Sequence, residues 1–297
     1  MSAGNCLNAR MTIRGRINHA LTMSTGYQIV RAHPQQAEPR EPAKKAPAKE
    51  PVQRTMPTQR AKVPSDYDEE TAEIWDAVRL RTMTRHERVE SLITAVRYVE
   101  RYQVPGAIVE CGVWRGGSML ACAHTLLRRG ATERDLYLFD TFTGMSEPTN
   151  KDVRISQGKT AAELMEARGP GPLAWNRPER WVATLEDVKE GFAELDYPEE
   201  RLHFVPGKVE ETVPDQAPDT ISILRLDTDW YESTKHELDH LYQRLSPGGV
   251  LIIDDYGTWQ GSKQATDEFL DEVADPLLMI RVARARFAVK PGLPTSG

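Results

Sequence analysis

Apolar residues change their spacing once along this chain, near Pro105. Before it, Ile74, Trp75, Val78 and Leu80 mark a short amphipathic helix over residues 68–80. Leu92, Ile93, Val96 and Val99 mark a second, at intervals of three and four. Thr84-Arg85-His86-Glu87 reads as a capping box for that second helix, because a hydroxyl and a carboxylate three residues apart can satisfy the free N–H groups of a helix start. The helix stops before the proline, which cannot continue it. Beyond this point short apolar runs at 107–111, 135–139, 202–205, 221–226 and 250–253 predict five strands, with helices near 117–129, 185–194, 233–245 and 261–273. Such alternation predicts a parallel sheet covered on both faces. Segments 277–282 and 286–289 predict a closing antiparallel pair. The expected fold is therefore doubly wound α/β, a mostly parallel seven-stranded sheet with helices on both faces.

One connection exceeds what this architecture needs. About 45 residues separate Phe139 from the helix near 185, and they hold Gly-Pro-Gly-Pro at 169–172 with Trp175 and Trp181. Long connections in compact domains are lids or disordered insertions. A lid over residues 141–184 is the reading preferred.

The 297 residues include 28% charged ones, a globular composition, but the net charge of −6 is unevenly spread. Residues 1–64 carry eleven Lys or Arg against three Glu, which leaves −14 on the remainder. From 33 to 64 the chain is rich in Pro, Ala, Gln and Lys, too poor in large apolar residues for a core. Arg10, Arg14, Arg16 and Arg31 in an acid-free opening match a transit peptide. A disordered tail or a misassigned start is favoured over that, so the domain is taken as 65–297 and residues 1–64 as a basic tail. The acidic body argues against nucleic acid, and no apolar run reaches the length of a membrane span. Cys6, Cys111 and Cys122 form neither a disulfide framework nor a metal-ligand spacing. A cytoplasmic protein is expected.

Candidate chemistry lies at the strand ends, where open α/β sheets form their ligand crevice. Leu226-Asp227-Thr228-Asp229-Trp230-Tyr231 and Ile253-Asp254-Asp255-Tyr256 would bring several carboxylates together there. Like charges that close call for a cation, and a divalent metal is the simplest one. A single aspartate in such a place can instead cap a helix, and Asp229 has that alternative before the helix near Ser233. Glu110-Cys111-Gly112-Val113-Trp114-Arg115-Gly116-Gly117-Ser118 follows the first strand, with glycines that let the backbone approach a ligand and leave N–H groups free. Trp114 stands where a dinucleotide fingerprint needs its second glycine, which disfavours NAD. The spacing E-x-G-x-x-x-G suits S-adenosylmethionine, and Asp140 after the second strand could accept two ribose hydroxyls. His236-Glu237-Leu238-Asp239-His240 matches a zinc-protease signature, with Glu268 as a conceivable third ligand. Leu238, Leu241, Tyr242 and Leu245 form the apolar stripe of that helix, so both histidines fall on its opposite side and the protease is rejected.

Taken together with Thr82-Met83-Thr84, Phe139-Asp140-Thr141-Phe142-Thr143-Gly144-Met145 and Gly207-Lys208-Val209-Glu210, these motifs resemble the macrocin O-methyltransferase family over about residues 66–290. That family methylates sugar hydroxyls on macrolide and aminocoumarin antibiotics. The resemblance implies a Rossmann-like class I methyltransferase that uses S-adenosylmethionine and Mg²⁺ and forms homo-oligomers. It implies that Thr82 and Met83 fold over the cofactor, that Glu110, Cys111, Gly112, Val113 and Trp114 line its methionine portion, and that Asp140 holds the ribose with Thr141 and Phe142 beside it. Lys208 would border the adenine, and Asp227 and Thr228 would also touch the cofactor. Asp227, Asp254 and Asp255 would hold the metal, with Asp229 as general base. The acceptor implied is a small molecule with a free hydroxyl, a sugar before any other, and neither a nucleic acid nor a membrane. A catechol-type or other small-molecule O-methyltransferase is the alternative, and an NAD-dependent oxidoreductase or a non-catalytic scaffold stands behind it. Trp175, Trp181, Trp230 and Trp259 are either stacking surfaces for a sugar ring or core residues.

Overall fold

The computed structural model describes residues 63–166, 182–273 and 276–292. Residues 1–62, and with them nearly all of the basic segment, lie outside the described residues, as do the Gly-Pro-Gly-Pro run, Trp175 and Trp181.

Two helices precede the sheet, α1 (Glu69–Val78) and α2 (His86–Arg101). Asp68 caps α1 by accepting from Thr71 N at 2.6 Å. Leu80 lies beyond the end of α1 and is exposed, so it is no part of that helix's apolar stripe. The expected capping box at Thr84 does not form: α2 starts after Arg85, which makes no side-chain cap bond. Thr84 is buried and turned to another partner described below.

The sheet has seven strands in the order β5-β2-β1-β6-β7-β9-β8. They are β1 (Ala107–Cys111), β2 (Leu136–Asp140), β5 (Leu202–Pro206), β6 (Ile221–Leu226), β7 (Leu245–Ile253), β8 (Ile280–Val282) and β9 (Ala285–Val289). All pairings from β5 to β7 are parallel, and β9 runs antiparallel to both β7 and β8. Strand alternation divides the core in two. Ile108, Leu138, Ile223 and Ile252 pack under α1, α2, α3 (Gly117–Arg129) and α5 (Leu185–Ala193). Val109, Phe139, Leu224 and Leu251 pack under α7 (Tyr231–Leu241) and α8 (Gln260–Glu272). The doubly wound architecture expected from the pattern is the one found.

Two boundaries differ from the sequence reading. Strand β7 starts at Leu245 rather than 250, because Leu245 pairs with Ile221 and Val250 with Ile223, so the Pro-Gly-Gly segment is a bulge within the strand. The long connection after β2 is structured where described: a hairpin of β3 (Val153–Arg154) and β4 (Lys159–Thr160), then α4 (Ala161–Glu166). A four-residue helix, α6 (Val209–Thr212), follows β5. The order of pairing reverses between β1 and β6, which places the crevice at their carboxyl ends.

Candidate active site

The crevice is set by how closely β1 and β6 approach. Gly112 turns the chain out of β1 at φ +85°, and a side-chain carbon there would stand 2.1 Å from the Asp227 carbonyl oxygen. Only glycine fits. Asp227 N donates to Cys111 O at 2.8 Å and locks the two strand ends together. Asp140, at the end of β2, braces the turn: its Oδ2 accepts from Val113 N (2.7 Å) and Trp114 N (2.9 Å), and its Oδ1 from Phe142 N (2.8 Å). The N–H groups expected to be free for a ligand are thus taken, because a carboxylate in the next strand end reaches them first. A pyrophosphate has neither those donors nor a tolerable neighbour there, whereas a cationic sulfonium and ribose hydroxyls do not need them.

Next to this turn the carboxylates gather. Asp227, Asp254 and Asp255 each place an oxygen within 4.8 Å of the others. The protein supplies cations of its own, which the motif reading missed. Arg225 Nη1 donates to Asp227 Oδ2 (2.7 Å) and Glu110 Oε1 (2.6 Å), and Nη2 donates to Asp254 Oδ1 (2.7 Å) and Thr84 Oγ1 (3.1 Å). Arg88 of α2 also pairs with Asp254. The cause is register: Glu110 lies opposite Arg225, and alternation turns both to the face covered by α2. This is where the Thr84 hydroxyl went instead of to a cap. A charged residue in an otherwise apolar strand, Leu224-Arg225-Leu226, was the signal that could have revealed the hub.

Two guanidinium groups do not offset this cluster. Glu110, Asp227 and Asp254 share Arg225, Asp254 also pairs with Arg88, and Oδ2 of Asp255 is buried with no hydrogen-bond partner. Burial, followed by repulsion from Asp254 and other carboxylates, pushes Asp227 and Asp255 well above the usual carboxylate range. An oxygen-only set with surplus negative charge fits a hard divalent cation such as Mg²⁺. Asp229 sits beside it with φ +68° and accepts from Trp259 Nε1 at 2.6 Å. Burial, and then the Asp227 charge, raises its pKa to about 7. It is not a helix cap: α7 begins at Tyr231, whose N–H goes to Oδ1 of the buried Asp152 at 2.8 Å.

The resulting cleft has a volume of about 490 Å³. Of the residues singled out from sequence, Met83, Gly112, Trp114, Asp140, Thr141, Lys208, Asp227, Thr228, Asp229, Asp254 and Asp255 line it. Thr82, Glu110, Cys111, Val113 and Phe142 do not; Glu110 and Cys111 are buried beneath the turn. Trp230 and Trp259 are buried core residues packed edge to face at 5.0 Å. His236 lies 2.9 Å from the Val213 carbonyl, His240 Nδ1 lies 2.8 Å from the His236 carbonyl, and Glu268 accepts from the Tyr231 hydroxyl; among the described residues the groups that converge as a possible metal site are Asp227, Asp254 and Asp255 and not these three. Glu237 between them is buried and accepts from Thr228 Oγ1 at 3.2 Å, supporting the cleft floor from below. Arg88, Arg154 and Arg284 line the cleft without having been anticipated.

Comparison with known proteins gives consistent matches. The Macrocin-O-methyltransferase (TylF) family model matches residues 17–287, a range that begins upstream of the first motif noted above. The chain is 32% identical over 208 residues to demethyldecarbamoylnovobiocin O-methyltransferase of Streptomyces niveus, across 69% of this chain and 74% of that protein. It is 35% identical over 182 residues to 8-demethyl-8-(2,3-dimethoxy-alpha-L-rhamnosyl)-tetracenomycin-C 4'-O-methyltransferase of Streptomyces olivaceus, across 61% and 64%. The structure of the O-methyltransferase NovP matches with a TM-score of 0.61 at 28% identity, covering 71% of this chain and 83% of that one. Among the described residues no helix is long and apolar enough to cross a membrane.

Proposed function

The chain belongs to the macrocin O-methyltransferase family of S-adenosylmethionine-dependent O-methyltransferases, and from that premise we propose that it methylates a sugar hydroxyl of a glycosylated natural product with the help of Mg²⁺. The observation that carries this reading is the placing of Asp229 in one cleft with the Asp227–Asp254–Asp255 cluster and the Gly112 turn. The rhamnosyl group in the name of the Streptomyces olivaceus relative supports a sugar acceptor.

In this reading Trp114, Asp140, Thr141, Lys208 and Thr228 border the cofactor, and Asp227, Asp254 and Asp255 hold the cation. S-adenosylmethionine supplies an electrophilic methyl on a positively charged sulfur. A cation held there would supply Lewis-acid polarisation and lower the proton affinity of the acceptor oxygen. Asp229 would take the hydroxyl proton at the carboxylate oxygen that Trp259 does not bind, so that the acceptor oxygen could receive the methyl. Burial and the Asp227 charge hold the Asp229 pKa up to about 7, which makes it a stronger base than an ordinary carboxylate, and a cation on the neighbouring aspartates would lower that value. Phe139, Met145 and Trp114 wall the cleft with apolar surface and limit water around the reacting atoms. The same reading takes residues 65–297 as the catalytic domain, 141–184 as its lid and 1–64 as a basic tail, in a cytoplasmic homo-oligomer.

The test is thermal shift with S-adenosylhomocysteine, with and without Mg²⁺, followed by a screen of glycosylated natural products, free sugars and catechols with labelled S-adenosylmethionine. Stabilisation by S-adenosylhomocysteine and labelling of glycosides is the expected result. Labelling of catechols alone would replace the sugar reading, and no shift with S-adenosylhomocysteine would end both.

A further inference from the structure

Two guanidinium groups meet at Asp254, and they are held very differently. Arg225 donates to Oδ1 at 2.7 Å, is 3% exposed, and is fixed by three further acceptors, Glu110, Asp227 and Thr84. Arg88, on α2, donates to Oδ2. Among the described residues Asp254 is the acceptor of its guanidinium, and its Nε is buried without a hydrogen-bond partner. The Arg88 side chain is 14% exposed and lines the cleft, which Arg225 does not. Both oxygens of Asp254 are therefore taken, one by a group locked into the fold and one by a group with a single tie beside the cleft.

We propose that Arg88 and the divalent cation compete for Asp254, so that Arg88 sets how tightly the metal binds; this rests on the reading of Asp227, Asp254 and Asp255 as metal ligands given above. A cation that uses Asp254 must approach an oxygen that already accepts from a guanidinium, and like charges at one oxygen repel. Arg225 cannot yield without stranding Glu110 and Asp227, which share it. Arg88 yields by breaking one ion pair and turning into the cleft, where water can hydrate its head group. Helix α2 keeps its other tie to the site through Thr84, just ahead of it, on Arg225. The competition is reciprocal: the factor that Arg88 takes from the metal's affinity is the factor that the metal takes from the Arg88–Asp254 pair. The result is a cation that exchanges with solution, because the protein carries a charge of its own to replace it.

The test measures Mn²⁺ affinity by electron paramagnetic resonance on the full chain, with and without S-adenosylhomocysteine, in wild type, Arg88→Gln, Arg88→Lys and Arg85→Gln. Arg88→Gln is expected to bind Mn²⁺ about fivefold tighter or more, with Arg88→Lys between it and wild type. Arg85 also lines the cleft but pairs with Glu87, so Arg85→Gln keeps the wild-type affinity. Binding of S-adenosylhomocysteine reports that each variant is folded, and Arg88→Lys carries the comparison if the glutamine variant is not. A crystal structure of the complex with S-adenosylhomocysteine and Mn²⁺ is expected to show the Arg88 guanidinium away from Asp254. Unchanged or weaker Mn²⁺ binding in Arg88→Gln overturns the proposal, because Arg88 would then stand apart from the metal or orient Asp254 for it. The same gain in Arg85→Gln overturns it too, since loss of any positive charge would then suffice, and so does a metal-bound structure that keeps the pair intact. A wild-type chain that binds S-adenosylhomocysteine but no Mn²⁺ removes the metal reading first and this inference with it.

Discussion

Trp259 donates its indole N–H to Oδ1 of Asp229 at 2.6 Å, and this bond fixes a carboxylate that the backbone presents in a left-handed conformation. Trp259 is itself immobilised by full burial and by edge-to-face packing on Trp230, whose Nε1 binds the Ser146 carbonyl at 3.0 Å. Replacing Trp259 by Phe keeps most of the packing and removes the donor. A fall in kcat of about tenfold or more is expected, with KM for S-adenosylmethionine nearly unchanged. Steady-state kinetics beside a melting curve would check it; an equal loss in both parameters would mean that only the packing mattered.

Removing Arg225 should cost stability as well as activity. It is buried among Glu110, Asp227 and Asp254, and Arg225→Met leaves three carboxylates without their shared donor. Breaking such a buried network from one side costs about 3–5 kcal/mol. Adding Glu110→Gln should recover part of that loss, because it removes one of the stranded charges. Chemical denaturation of the single and double variants measures the coupling.

The pH dependence of turnover should report Asp229. Its pKa is raised to about 7 by burial and then by Asp227, and the ionised form is the competent base. Activity is therefore lost as pH falls through about 7 and regained above it. A cation on the neighbouring carboxylates weakens the repulsion, so the acid limb should move to lower pH as Mg²⁺ rises. A limb that stays fixed from low to saturating Mg²⁺ would contradict the assignment.

Metal binding should be visible without turnover. Wild type bound to S-adenosylhomocysteine is expected to melt at higher temperature with Mg²⁺ than with EDTA. Asp254→Asn should lose that increment, since it removes a charge from the three-carboxylate set. An unchanged increment would show that the cation binds elsewhere.

Gly112→Ala tests the crevice. The added methyl would meet the Asp227 carbonyl oxygen at 2.1 Å, so β1 and β6 must part at their ends. Loss of S-adenosylhomocysteine binding is expected together with a large drop in melting temperature, read in one thermal-shift experiment. Wild-type values for both would show that the strands separate without cost.

What was legible in the sequence was what depends on spacing. Apolar runs placed the strands because residues such as Ile108, Val109, Leu224 and Leu251 are buried on both faces, and such strands read as continuous. The aspartates were legible because strand ends are marked by the end of an apolar run. What escaped was partnership. Arg225, Arg88, Glu110 and Thr84 meet only through cross-strand register and the docking of α2. Thr84-Arg85-His86-Glu87 looked like a cap because local chemistry allows one; a buried guanidinium needing an acceptor competed for the hydroxyl. The hairpin carrying Arg154 was hidden because strands of two residues leave no period to detect.

Strand β9 is not an addition at the margin of the sheet. It pairs with β7 and separates β7 from β8, and the turn leading into it brings Ala283 and Arg284 to the cleft wall. Without this segment β1 can still close against β6 and gather the aspartates, yet the flank of β7 stays open. Loss of β8 and β9 would therefore expose the backbone edge of β7 to other chains instead of yielding a slower enzyme.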